Sequence, residues 1–174
     1  MNLPNYITLL RVILIPFFIN LMIYGYYQAA LVVFLVACLT DALDGMIARL
    51  TKTQTELGAF LDPMADKLLI LSAFVTLVLL GKLPVWLVII VVSRDVILTM
   101  GSLVIYFSTR DLKIQPSIIG KATTVLQLII VTLSLVLLSY GTEMRIMNFL
   151  QWITAGITVA SGTQYVVRGI KMVG

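Results

Sequence analysis

The chain of 174 residues has no histidine and one cysteine, Cys38. That excludes a disulfide framework, the common zinc, haem and iron–sulfur ligand sets, and any acyl-transfer triad that needs an imidazole. Charge is also scarce. Only 11% of residues are Asp, Glu, Lys or Arg, where a soluble domain carries about a quarter. Gly-Ser-rich linkers, internal repeats and low-complexity segments are missing, and no stretch is polar enough to form a second, soluble domain. What is present is apolar: 60% of residues are hydrophobic and the mean hydropathy is +1.08. These values predict an integral membrane protein, a single domain over residues 1–174, with no reason to expect a nucleic-acid partner.

About 20 apolar residues at 1.5 Å each cross a hydrocarbon core roughly 30 Å thick. Charges and turn residues divide this chain into six such spans, an all-α bundle. The first runs from about Pro4 to Tyr24 and the second from Tyr27 to Arg49, with a tight turn around Gly25. The third runs from Leu57 to Gly81, the fourth from Pro84 to Thr109, the fifth from Pro116 to Tyr140 and the sixth from Glu143 to Arg168. Pro84 suits the first turn of a helix. The apolar stretch from Val12 is too long for a signal-peptide core and no small-residue cleavage site ends it, so it reads as a retained helix. Arg49, Lys52, Arg110, Lys113, Lys121, Arg168 and Lys171 fall on the side of the termini, against Lys82 and Arg145 on the other. By the positive-inside rule both termini are cytoplasmic, in a multi-pass protein of the cell membrane.

Four of the eight acidic residues, Asp41, Asp44, Asp62 and Asp66, lie within 26 positions around the loop between the second and third spans. Asp41 and Asp44 are three apart, Asp62 and Asp66 four apart, so each pair shares a helical face. Grouped carboxylates at the edge of a bilayer repel and need a cation among them. Oxygen ligands without His or Cys suit hard divalent ions, Mg²⁺ or Mn²⁺, and four carboxylates can bridge two. A structural network in which Lys67, Arg49 and Arg94 neutralise the acids is the alternative. Gly45 and Ala48 lie on the Asp41 face, and Gly58 one turn before Asp62; small residues there admit either a closely packed helix or a flat ligand. Arg49 at the membrane surface can hold a phosphate oxygen or simply snorkel. Asn5, Thr8 and Arg11, three apart on the first span, can line the same cavity, although Asn5 also suits a helix cap.

Residues 41 to 66 match D-x2-D-G-x2-A-R-x8-G-x3-D-x3-D at all eight fixed positions. In this the chain resembles the CDP-alcohol phosphotransferase family, whose six spans and cytoplasmic ends agree with the whole chain. The resemblance implies transfer of a substituted phosphoryl group from a CDP-linked donor to an alcohol, with release of CMP. Carried over by position, Asp41, Asp44 and Asp62 hold two divalent metals at the cytoplasmic face. Asp66 joins one of them and acts as general base on the acceptor hydroxyl. Gly45, Ala48 and Gly58 leave room for the cytidine, and Arg49 contacts the phosphates. The opening Met-Asn-Leu-Pro-Asn-Tyr-Ile-Thr-Leu-Leu-Arg resembles the users of CDP-diacylglycerol, and the family implies a homodimer.

Acceptor choice is expected to rest on Arg94, Arg110, Lys113 and Lys121. Users of glycerol 3-phosphate typically show Ala-Arg-Glu in the fourth span, a second arginine two turns on, and Gly-Lys-x-Lys-Thr in the fifth. Here those places read Ser93-Arg94-Asp95, Met100 to Val104 without a base, and Gly120-Lys121-Ala122-Thr123-Thr124. The local sequences are closer to CDP-diacylglycerol-dependent cardiolipin synthases, whose acceptor, phosphatidylglycerol, carries less charge than a phosphomonoester. Glycerol 3-phosphate is the second candidate. From other classes, a membrane cation transporter would place acids near the bilayer midplane on broken helices, and a non-catalytic scaffold would not need four acids at fixed spacing.

Overall fold

A computed structural model describes the backbone of residues 3–51, 56–109, 118–141 and 146–173, and the side chains of 10–40, 67–101, 118–141 and 147–169. Six α-helices account for nearly all of it: α1 (Leu3–Ile23), α2 (Tyr27–Thr51), α3 (Glu56–Leu79), α4 (Val85–Thr109), α5 (Ile118–Tyr140) and α6 (Ile146–Val173). Among the described residues there is no strand. The helices hold 21 to 28 residues, about 30–40 Å at 1.5 Å per residue. The expected spans and these helices agree closely at most ends. The main difference is α6, which runs on past Arg168 to Val173. A span ends where charges begin, but a helix continues as long as its backbone bonds do.

Glycines end three of the helices. Gly25, Gly81 and Gly141 have φ of 79°, 69° and 65°, left-handed conformations in which a Cβ would be strained. At the first, Tyr26 N–H donates to the Leu21 carbonyl (2.9 Å) and Gly25 N–H to that of Met22 (3.2 Å). At the second, Lys82 N–H donates to Leu77 (2.8 Å) and Gly81 N–H to Val78 (2.9 Å). Both are Schellman caps, which satisfy carbonyls that a helix end leaves open. Gly141, which the sequence reading did not single out, donates to Leu138 at 3.3 Å.

The helices form two compact units. The first holds α1, α2, α3 and α5 from Val131 onward; the second holds α4, α5 up to Ile130, and α6. In the first, α1 packs against both α2 and α3. Its buried face carries Arg11, Phe18 and Met22, and the Phe18 and Phe34 rings meet at 5.7 Å between centroids. From α3, Leu69, Ala73, Phe74 and Leu77 are buried. In the second unit α4 packs on α6. Trp86 stacks on Trp152 (4.8 Å), Arg94 reaches Ser161, and a Cβ on Gly101 would come within 2.8 Å of the Tyr165 ring. Because these partners ascend together in both helices, α4 and α6 run parallel.

Among the described residues the exterior is largely apolar as well as the core, and several polar residues are buried. Large apolar side chains are exposed on every helix, among them Phe17, Val32, Leu79, Ile89, Ile118, Phe149 and Val167. Conversely, Arg11, Thr76, Arg94, Thr123, Gln127, Gln151 and Thr158 are buried. Three of the buried hydroxyls are bonded to their own helix: Thr76 donates to the Ser72 carbonyl at 2.7 Å, Thr123 to Ile119 at 2.9 Å and Thr158 to Thr154 at 2.6 Å. Among the described residues one helix, Ile118–Tyr140, is long and apolar enough by itself to cross a membrane.

Candidate active site

The acids of the sequence motif fall on α2 and α3 of the first unit, and only residues 52–55 separate those helices. Asp41 and Asp44 stand ten and seven residues before the end of α2 at Thr51. Asp62 and Asp66 stand six and ten residues after the start of α3 at Glu56. At 1.5 Å per residue these are heights of about 15 and 10 Å on one helix and about 9 and 15 Å on the other. Counted from the ends that flank the short link, the two pairs lie at similar distances along their own helices. Each pair keeps its helical spacing, since the backbone is α-helical throughout both stretches.

Gly45, Ala48 and Arg49 continue along α2 towards the link, and Gly58 lies just inside α3; Asn5 and Thr8 are in the first turns of α1. Their side chains and those of the four aspartates lie outside the described residues, and so do Arg110 and Lys113 altogether. Among the described residues no group of three or more His, Cys, Asp or Glu comes together. Carboxylates without sulfur or imidazole are ligands of the kind hard divalent cations take.

One residue of this region was underweighted by spacing alone. Arg11 is 1% exposed, on the helix that packs against both aspartate-bearing helices. Its spacing from Asn5 and Thr8 was visible in the sequence. Its burial was not, because burial depends on which helices cover α1.

The second unit holds the two cations expected at the acceptor whose side chains are described. Lys121 is exposed in the first turn of α5. Arg94 is 8% exposed. Its Nη1 donates to Asp95 Oδ1 at 2.8 Å and its Nη2 to Ser161 Oγ at 3.1 Å, while Nε is buried without a hydrogen-bond partner. Among the described residues the charge partner of Arg94 is its own neighbour on α4. A Cβ on Gly162 would sit 3.7 Å from Arg94 Cγ, an ordinary contact, so the arginine stem lies along α6 beside the Ser161 hydroxyl. Ser161 continues a buried polar stripe, Gln151, Thr154, Thr158 and Ser161, at spacings of three and four on one face of α6. Sequence reading missed that stripe, although its spacing was available.

The family model for CDP-alcohol phosphatidyltransferase matches residues 1–161. The chain belongs to the CDP-alcohol phosphatidyltransferase family. It is 36% identical over 179 residues to a probable phosphatidylglycerophosphate synthase of Mycobacterium tuberculosis, covering 99% of this chain and 84% of the relative. It is 33% identical to the CDP-diacylglycerol–glycerol-3-phosphate 3-phosphatidyltransferase of Bacillus subtilis (94% and 93% covered). It is 36% identical to the CMP-forming cardiolipin synthase of Homo sapiens, covering 99% of this chain and 63% of that one. The phosphatidyltransferase is therefore an enzyme of phospholipid biosynthesis. Relatives with both acceptors match it at similar identity, so the acceptor has to be argued from residues.

Proposed function

We propose that this phosphatidyltransferase moves the phosphatidyl group of CDP-diacylglycerol to a hydroxyl of phosphatidylglycerol, forming cardiolipin and CMP. The acceptor oxygen would form the new bond to the phosphorus of the phosphatidyl group while the bond from that phosphorus to the CMP oxygen breaks. Asp41, Asp44 and Asp62 would hold two divalent ions, Mg²⁺ or Mn²⁺, with Asp66 sharing one of them. Such ions, when bound, supply charge stabilisation to the diphosphate and to the departing CMP. Asp66 would take the proton of the attacking hydroxyl at its carboxylate, with its contribution coming mainly from position, since nearby cations depress a carboxylate's basicity. Gly45 and Ala48 would keep α2 bare where the flat cytidine lies, with Asn5, Thr8 and Gly58 around it, and Arg49 would hold a phosphate oxygen. Arg94 and Lys121, with Arg110 and Lys113, would orient the acceptor phosphate.

The observation that carries the reading is the eight-position acidic motif, its two aspartate pairs at similar distances from the link along α2 and α3. The membrane setting is supported by the apolar exterior of all six helices. Such a surface needs lipid around it, and each helix is long enough to cross about 30 Å. We infer six crossings with both termini and the acids on the cytoplasmic side. A CDP-lipid suits this arrangement, because its chains can stay in the bilayer while its nucleotide reaches the acids. Phosphatidylglycerol is preferred because two of the cations seen in users of glycerol 3-phosphate are missing, near Met100 to Val104 and at Ala122. A phosphomonoester carries nearly two negative charges and needs several charge-assisted hydrogen bonds to leave water. Glycerol 3-phosphate is the second reading, favoured by the likeness to the probable phosphatidylglycerophosphate synthase of Mycobacterium tuberculosis and the glycerol-3-phosphate 3-phosphatidyltransferase of Bacillus subtilis.

The test is purified protein in vesicles containing CDP-diacylglycerol, assayed for CMP and lipid product with each acceptor in turn, with Mg²⁺, with Mn²⁺ and with excess EDTA. Metal-dependent CMP release matched by cardiolipin is expected. Undiminished turnover in EDTA would overturn the metal assignment.

A further inference from the structure

A guanidinium offers its donors in a fixed planar fork, but the stem that carries it turns freely unless something holds it. Two of the three nitrogens of Arg94 are engaged: Nη1 donates to Asp95 and Nη2 to Ser161. The third, Nε, is buried and makes no hydrogen bond. A buried donor left unsatisfied costs free energy that only a partner removes, so it points to a ligand oxygen. The two bonds differ in what they anchor. Asp95 sits on the same helix as Arg94, whereas Ser161 ties the guanidinium to α6. That helix is in register with α4 on both sides of the bond. The Trp86–Trp152 stack lies eight residues before Arg94 on α4, and Gly101, closed against the Tyr165 ring, lies seven residues after it. Ser161 is itself 2% exposed, so its hydroxyl is a fixed point for the arginine.

We propose that Ser161 is a positioning residue for the transfer: through Nη2 it fixes the plane of the Arg94 guanidinium and so holds Nε–H for a phosphate oxygen of the acceptor. This rests on the reading that Arg94 faces the acceptor. Without the Ser161 bond the guanidinium is anchored to its own helix alone, and the Nε donor is correctly aimed in only part of the molecules. The loss then falls on acceptor binding. Donor binding, assigned above to the first unit, is untouched. A phosphodiester and a phosphomonoester both present such an oxygen, so Ser161 acts on affinity for the acceptor and not on the choice between the two.

The experiment measures kcat, the acceptor KM with phosphatidylglycerol and the KM for CDP-diacylglycerol, in wild type and variants reconstituted in the same vesicles. Ser161→Ala should raise the acceptor KM about tenfold, the share of one hydrogen bond to a charged group, with kcat and the CDP-diacylglycerol KM near wild type. Thr and Val fill the same space and differ in the hydroxyl. Ser161→Thr should therefore stay near wild type and Ser161→Val should match Ser161→Ala; this pair also decides the matter should Ser161→Ala fail to insert. Thr158→Ala, equally buried on the same face but bonded to its own helix, should leave the acceptor KM unchanged. Equal acceptor KM values in Ser161→Thr and Ser161→Val, or a rise in Thr158→Ala as large as in Ser161→Ala, would overturn the role of the Ser161 hydroxyl. Arg94→Gln separates this from the reading beneath it. A raised acceptor KM there, with Ser161→Ala unchanged, overturns the positioning role alone; an unchanged acceptor KM in Arg94→Gln removes Arg94 from the acceptor.

Discussion

The α1–α2–α3 unit and the α4–α6 pair treat polar residues in different ways. The first concentrates acids: four aspartates at fixed spacing on two helices, with small residues and one arginine between them. The second spreads polar groups along one face of α6 and binds its arginine to the next residue and to a serine of the parallel helix. A concentration of like charge is unstable without a bound cation, so it points to a ligand. A dispersed stripe of uncharged polar groups needs no bound ion: Thr158 donates to its own helix and Ser161 accepts from Arg94. On this contrast, the first unit should govern whether transfer occurs and the second which acceptor is used.

The largest expected effect falls on the first unit. Asp41→Asn, Asp44→Asn or Asp62→Asn should each lower CMP release by roughly three orders of magnitude or more, with every acceptor alike, because several kcal/mol of charge stabilisation is removed at about 1.4 kcal/mol per tenfold. A variant that lost one acceptor and kept the other would break the contrast. Asp66→Asn should lose roughly 10²–10⁴-fold in turnover, the usual share of a general base, and keep appreciable affinity for CDP-diacylglycerol in a binding assay. Near wild-type turnover would remove it from the proton transfer.

Smaller effects sharpen the comparison. Gly45→Leu or Ala48→Leu should weaken CDP-diacylglycerol binding with little change in thermal stability, since leucine suits a membrane helix and only the flat ligand is obstructed. Equal affinity would return both residues to helix packing. In the second unit, Gly101→Ala should lower unfolding stability by about 1–3 kcal/mol, the usual range for overpacking, because the new Cβ would come within 2.8 Å of the Tyr165 ring. A thermal midpoint equal to wild type would show that the ring moves aside without cost.

Much of this was legible in the residues and some was not, for physical reasons. Helix positions followed from the alternation of apolar stretches with charges and glycines, and the turns at Gly25 and Gly81 from the need for positive φ where a helix ends. The similar distances of the two aspartate pairs from the link are a consequence of spacing along the chain, which helical geometry converts directly into distance along each helix. The surroundings of Arg94 could not be read the same way. A charge inside an apolar stretch needs a polar partner, but periodicity says nothing about which helix lies alongside, so Ser161, 67 residues away, is not readable from the sequence. The pairing of Arg94 with Asp95 is not expected from sequence either, because neighbours on a helix ordinarily diverge. The burial of Arg11 likewise depends on the packing of α1 against α2 and α3.

The most direct test of the central claim is competition. Vesicles holding CDP-diacylglycerol, purified protein and Mg²⁺ would be given phosphatidylglycerol and glycerol 3-phosphate at equal availability, and CMP and both lipid products would be counted. The account predicts one CMP per lipid formed, cardiolipin as the main product, and loss of both signals in EDTA. Phosphatidylglycerophosphate as the main product, with no cardiolipin, would contradict it.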